Sequence, residues 1–212
     1  MDSFKRLISY YSQHGFFKTA KRIIRTLDRL FRHNESMLFF ADIADLKNNT
    51  IELPIQLSIE KITKKEELTL KDLGRILSHS HSGIIDHQMN ERFMKGAVLW
   101  ILKTNGNIAG FEWSIRGRNT IEPYFFPLTP NDAIIFDAHT WEGYRGKGYN
   151  AILVHHIMVN LSNEEVTRIY ANIKNWNRSS LEVIKKTHLR PFGIARKFQI
   201  KNKIITISNA FD

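Results

Sequence analysis

The chain has 212 residues, 42% of them hydrophobic, which suffices for one domain of ordinary size plus an appendage. It contains no cysteine, so a disulfide framework, a cysteine nucleophile and thiolate metal sites are excluded. The formal net charge is +10 and is unevenly spread: residues 1–33 hold Lys5, Arg6, Lys18, Lys21, Arg22, Arg25, Arg29 and Arg32 against only Asp2 and Asp28.

Met1 to His33 lacks the uninterrupted apolar core of a signal peptide, and no run approaches the ~18 apolar residues of a membrane span. A cytoplasmic protein is therefore expected. Phe16, Ala20, Ile23, Leu27 and Leu30 recur at helical spacing, predicting an amphipathic helix over 16–33 with its basic residues largely between the apolar ones. Phe4, Leu7, Ile8 and Tyr11 repeat the habit, and Gly15 separates the two pieces. Two readings stand. The segment is a helical hairpin lying on the main domain, or it is a peripheral anchor on anionic lipid at the inner membrane face. Charge alone favours nucleic acid, and no recognised motif supports it.

Ser36 to Ile43 predicts a strand, and Asn48-Asn49 a turn. Ile51 to Ile62, interrupted by Pro54, predicts one or two short strands. Thr63 with Glu66 three residues on has the form of a capping box, opening a helix to about Leu77. The polar stretch His79-Ser80-His81-Ser82-Gly83 precedes a second helix over Asp86 to Lys95. Val98–Leu102 and Ile108–Ile115 flank Asn105-Gly106, a strong hairpin signal. Gly117 to Asp132 holds Pro123, Pro127 and Pro130 with Tyr124-Phe125-Phe126, predicting an ordered aromatic loop. That loop either lines an acceptor cleft or fills core.

The rest of the chain is organised around the stretch from Ile134 to Asn150. Ile134-Ile135-Phe136 opens a strand, Arg145-Gly146-Lys147-Gly148 forms a basic glycine turn, and Tyr149 to Leu161 has helical periodicity. Strand, glycine turn and helix together aim free backbone N–H groups and a helix dipole at an anion. Arg168–Ile173 is a further strand and Asn177–Leu189 a further helix. Ala195–Ile200 and Lys203–Ser208 close the chain as a hairpin.

Arg145-Gly146-Lys147-Gly148-Tyr149-Asn150 resembles the Q/R-x-x-G-x-G/A signature of the GNAT superfamily of acyl-CoA-dependent N-acetyltransferases. Glu142-Gly143-Tyr144 resembles that family's lead-in, and Asn177-Arg178-Ser179-Ser180 its later Asn-x-x-Ala/Ser helix start. The element order from about Ile51 to Ser208 fits. The resemblance implies an α/β fold with a mixed central sheet, splayed at one end, and helices on both faces. Residues 51–212 would form the acyltransferase domain, and residues 1–50 a basic helical extension with a leading strand. Asn150 departs from the small sixth residue of the signature. Ile184 stands where many members carry a tyrosine that protonates the leaving thiolate, and His188-Leu189 replaces the usual Gly-Phe.

The implied reaction moves an acetyl group from acetyl-CoA to a primary amine of a small acceptor. The basic extension resembles members from surface-polysaccharide pathways, which would make the acceptor an amino sugar. The resemblance implies that residues 145–150 and Asn177 bind the cofactor, and that Ala138 to Thr140 supply the oxyanion-stabilising amide. Pantetheine would pair with the same strand. A base is useful because an amine is mostly protonated at neutral pH. Asp137 and His139, alternating onto one face of their strand, and Glu112 on the neighbouring hairpin strand are the candidates. His79, His81 and His87 border the acceptor side in such a fold. The His79/His81 pair lacks a carboxylate at ligand spacing, so no metal is expected. The rival readings are an aminoacyl or longer-acyl transferase, and a non-catalytic module that docks through residues 1–33.

Overall fold

A computed structural model of the chain describes residues 15–17, 19, 35–47, 52–78, 82–119, 124–200 and 203–210. The predicted helix over 16–33 and the turn at Asn48-Asn49 lie almost wholly outside these residues, as do His79 and His81. No helix among the described residues is long and apolar enough to cross a membrane.

Eight strands form one sheet: β1 (Glu35–Asp42), β2 (Leu57–Ile62), β3 (Val98–Thr104), β4 (Asn107–Arg116), β5 (Asp132–Thr140), β6 (Arg168–Lys174), β7 (Arg190–Ile200) and β8 (Lys203–Ala210). Their order is β2-β3-β4-β5-β6-β1-β7-β8. Neighbours are antiparallel except β5 and β6, which run parallel. Among the residues described from 35 onward, the α-helices are α1 (Leu70–Leu77), α2 (Ser82–Met94), α3 (Tyr149–Asn163) and α4 (Arg178–Ile184). A parallel pair needs a crossover, and α3 provides it between β5 and β6.

Helices cover both faces. On one, Leu153, Ile157, Met158 and Leu161 of α3 pack with Trp100, Leu102, Ile135, Phe39 and Ile169 of the sheet, joined by Ile184 of α4. On the other, Ile76 of α1 and Met89 of α2 pack with Leu99, Ile101, Phe111 and Trp113. The mixed α/β sheet expected from the resemblance is therefore present.

Several local expectations need correction. β1, placed with the extension on the far side of residue 50, lies inside the sheet between β6 and β7. The helix expected from Thr63 begins only at Leu70, where Thr69 Oγ1 accepts from the Asp72 amide at 3.1 Å. Thr63 instead donates its amide and its hydroxyl to the Glu67 carboxylate, each at 2.8 Å, around a single 3-10 turn, Lys65–Glu67, whose N-cap Lys64 makes no side-chain capping bond. The second helix starts earlier than expected, at Ser82, and α4 stops at Ile184 rather than Leu189. The Asn105-Gly106 hairpin is present, both residues having positive φ (48° and 72°), as a tight two-residue turn requires. In the aromatic loop Phe126 is partly buried and packs edge-on against Tyr170 at 4.9 Å and Phe192 at 5.6 Å, outside the two main hydrophobic clusters.

Candidate active site

The site begins at the turn leading into α3. Gly146 and Gly148 have φ of 78° and 77°, a left-handed conformation in which a side chain is disfavoured. Gly148 caps α3, and its carbonyl accepts from the Ile152 amide at 3.2 Å. Among the described residues, no backbone carbonyl accepts from the amides of Gly146, Lys147, Gly148, Tyr149, Asn150 or Ala151. A Cβ built on either glycine meets no atom within 4 Å. These amides crowd the positive end of a 15-residue helix, an arrangement suited to a phosphate. Arg145 braces the turn: its Nε donates to the Thr140 carbonyl at 2.9 Å. Lys147 Nζ lies 5.7 Å from the Tyr144 ring centre.

β5 connects this turn to the centre of the sheet. It pairs with β6 only from Asp132 to Ile134, although it continues to Thr140. Beyond Ile134 the two parallel strands part, and the remaining edge of β5, including Ala138, His139 and Thr140, is left without β6 as a neighbour. β5 also bulges there. Phe111 pairs with His139 and Trp113 with Phe136, so Glu112 faces two residues, Asp137 and Ala138. Asp137 carries the irregular backbone, at φ 53°.

The bulge corrects the expected alternation of Asp137 and His139. Phe136 and His139, three apart, now share the face of α1 and α2: Phe136 stacks on Trp113, and His139 sits edge-on to Trp141 at 4.8 Å. Asp137 is half-exposed and accepts at 2.6 Å from Arg92 Nη1 of α2. Glu112 points the other way from Phe111 and Trp113, toward the α3 side, and is 5% exposed. Among the described residues its Oε2 has no hydrogen-bond partner. Burial pushes its carboxyl up to about 8, and the neighbouring Asp137 adds to the shift. A carboxyl that titrates near neutral pH at the parting of two strands has the properties of a general base.

Asn177, expected at the cofactor, caps α4: its Oδ1 accepts from the Ser180 amide at 3.3 Å and from Ser179 Oγ at 3.0 Å. Ile184 is buried in the core. His87 is exposed on α2, with Nε2 3.7 Å from Glu91. Among the described residues no group of three or more His, Asp or Glu is arranged to hold a metal. His155 and His156 are shifted down, by burial first and then by His188 and His155 respectively.

No motif in the sequence singles out Arg92. The available signal was its place three residues after Met89 and next to Phe93, a cation entering the apolar stripe of a helix. Nor does any motif single out Arg75. It stacks 4.9 Å from the Trp141 ring and borders a cleft of about 360 Å³ with Lys71, Asn107 and Tyr144.

No protein-family model and no curated protein matches the sequence. Solved structures do match in fold. An acetyltransferase of the GNAT family from Colwellia psychrerythraea aligns with 74% of this chain at 9% identity and a TM-score of 0.54. A tandem GNAT protein from the clavulanic acid biosynthesis pathway aligns with 84% at 11% identity and a TM-score of 0.52. The chain spans about half the length of these two structures, 52% and 54%. Its fold is the GNAT acetyltransferase fold.

Proposed function

We propose that this chain is an acyl-CoA-dependent N-acyltransferase that moves an acetyl group from acetyl-CoA to a primary amine of a small acceptor. One continuous feature carries the reading. β5 leaves β6 after three residue pairs and runs into a turn at the start of α3 where, among the described residues, the amides from Gly146 to Ala151 have no backbone partner. A long, flexible thioester with a pyrophosphate in its middle suits that path. Acetyl-CoA supplies the activated carbonyl.

Each part of the chain then has a role. The amides of Gly146 to Asn150 hold the pyrophosphate, and Arg145 and Lys147 add charge. The edge of β5 beyond Ile134, which β6 does not cover, pairs with pantetheine, and an amide among Ala138, His139 and Thr140 steadies the developing oxyanion. Glu112, ionised above about pH 8, takes the proton that the attacking amine releases, directly or through water. Ile184 offers no proton to the departing thiolate, which therefore takes it from solvent. Asn177 acts by starting α4 rather than by touching the cofactor.

The acceptor class stays a small amine. An amino sugar rests only on the resemblance of the basic extension to members from surface-polysaccharide pathways, and no residue of the site adds to it. A turnover screen tests the reading: CoA release from acetyl-CoA with amino sugars, polyamines and amino acids. Release above the rate of spontaneous hydrolysis with at least one amine is expected, lost in Glu112→Gln. A chain that binds acetyl-CoA yet releases no CoA with any amine would instead be a binding module.

A further inference from the structure

Arg92 is the least expected residue on the inner side of α2. Its neighbours Ile85, Met89 and Phe93 pack into the core, and a guanidinium among them must be matched. It is matched twice. Nη1 donates to Asp137 Oδ2 at 2.6 Å, and the guanidinium lies 5.1 Å from the Trp113 ring centre and 5.2 Å from that of Phe136. Asp137 is the residue at φ 53°, opposite Glu112. A left-handed backbone is uncommon outside glycine but open to aspartate at modest cost, and the Arg92 contact adds to what holds it.

We propose that Arg92 is a positioning residue: its ion pair with Asp137 fixes the β5 bulge across from Glu112 and shields that carboxyl from the charge of Asp137. The two rings flank the guanidinium that meets Asp137. Asp137 is the like charge acting on Glu112, and Arg92 is its counterion. The other elements around Glu112 bring less. β3 presents Trp100 directly across from it. Beyond that ring stand Lys61 of β2, paired with Glu164, and His156 of α3, with His155 beside it.

The catalytic meaning of this clamp rests on Glu112 being the base, and the two claims separate experimentally. Protein carrying ¹³C-labelled glutamate is titrated by NMR, the Glu112 signal being assigned by its loss in Glu112→Gln. Arg92→Gln leaves Asp137 unshielded and is expected to raise the Glu112 midpoint by about one pH unit. Asp137→Asn removes the like charge while Arg92 stays, and is expected to lower it by a similar amount. Arg92→Lys keeps the charge and should stay near wild type. Shifts of opposite sign support the inference. An unmoved midpoint in Asp137→Asn, or in a folded Arg92→Gln, overturns it, even where melting temperature falls. If Arg92→Gln does not fold, Asp137→Asn decides alone. Unchanged turnover in Glu112→Gln ends the base reading, and with it any catalytic meaning of the clamp, whatever the titration shows.

Discussion

Glu112 makes the residue scale measurable without knowing the acceptor. Its carboxyl ionises near 4.5 in an unfolded chain and at about 8 in the folded one. The folded state therefore holds the proton more tightly. Its contribution to stability is complete below about pH 4.5 and is lost as pH rises through about 8. Across that window the slope is at most about 1.4 kcal/mol per pH unit. Melting temperature should fall from pH 5 toward pH 8, roughly the span of that window, and Glu112→Gln should flatten the fall. Calorimetric scans along the pH series check this, and an equally steep fall in the variant would contradict it. Ile184 makes the contrasting case. It is buried in the core against α3, so Ile184→Val should lower stability by about 0.5–1.5 kcal/mol with turnover largely retained. A large turnover loss in a stably folded variant would mean that the position does more than pack.

At the scale of elements, legibility followed how local each cause was. Asn105-Gly106 announces its hairpin because only such residues accept two successive positive φ angles, here 48° and 72°. The strand, glycine turn and helix from Ile134 onward were legible for the same reason. The bulge was not. Phe136 to Thr140 alternates plausibly as written, and the slip coincides with a contact to Arg92, 45 residues away, that no local pattern announces. Nor was the place of β1, although a signal existed. Met37 to Ala41 is apolar without alternation, the mark of a strand covered on both faces. Phe39 and Ala41 meet the α3 side, whereas Phe40 meets Phe192 on the other. β1 therefore belongs to the folding unit, and truncation should show it. Removing residues 1–33 should leave CoA affinity near wild type while weakening association with anionic vesicles, if the local excess of basic residues acts as an anchor. Removing residues 1–42 should abolish cooperative unfolding, since β6 and β7 would lose the strand between them. Vesicle sedimentation and circular dichroism distinguish these. Equal vesicle binding by full-length and 34–212 proteins rules out the anchor.

At the scale of the whole molecule, function turns on where an anion binds. The formal charge is +10; beyond the N-terminal segment Arg145 and Lys147 lie on the α3 turn, and Lys71 and Arg75 line the adjoining cleft beside Asp72, whose charge is paired with Lys103. Such a field speeds and strengthens the capture of a polyanion and weakens with salt. Field alone does not make a cradle; on the proposed reading the turn's backbone does. Calorimetric titration of CoA into wild type, Arg145→Ala and Gly148→Asp separates the two. Arg145 supplements amides that remain in its absence, so its loss of about 1.5–3 kcal/mol weakens binding by roughly 10- to 150-fold at most. Gly148→Asp should stay folded, because a Cβ there meets no atom within 4 Å and the left-handed backbone costs an aspartate only about 1–2 kcal/mol. Its carboxylate would lie over the amides that hold the pyrophosphate, so CoA binding should be nearly abolished. If a folded Gly148→Asp protein binds CoA as wild type does, the turn is no pyrophosphate cradle, and the acyltransferase reading falls with it.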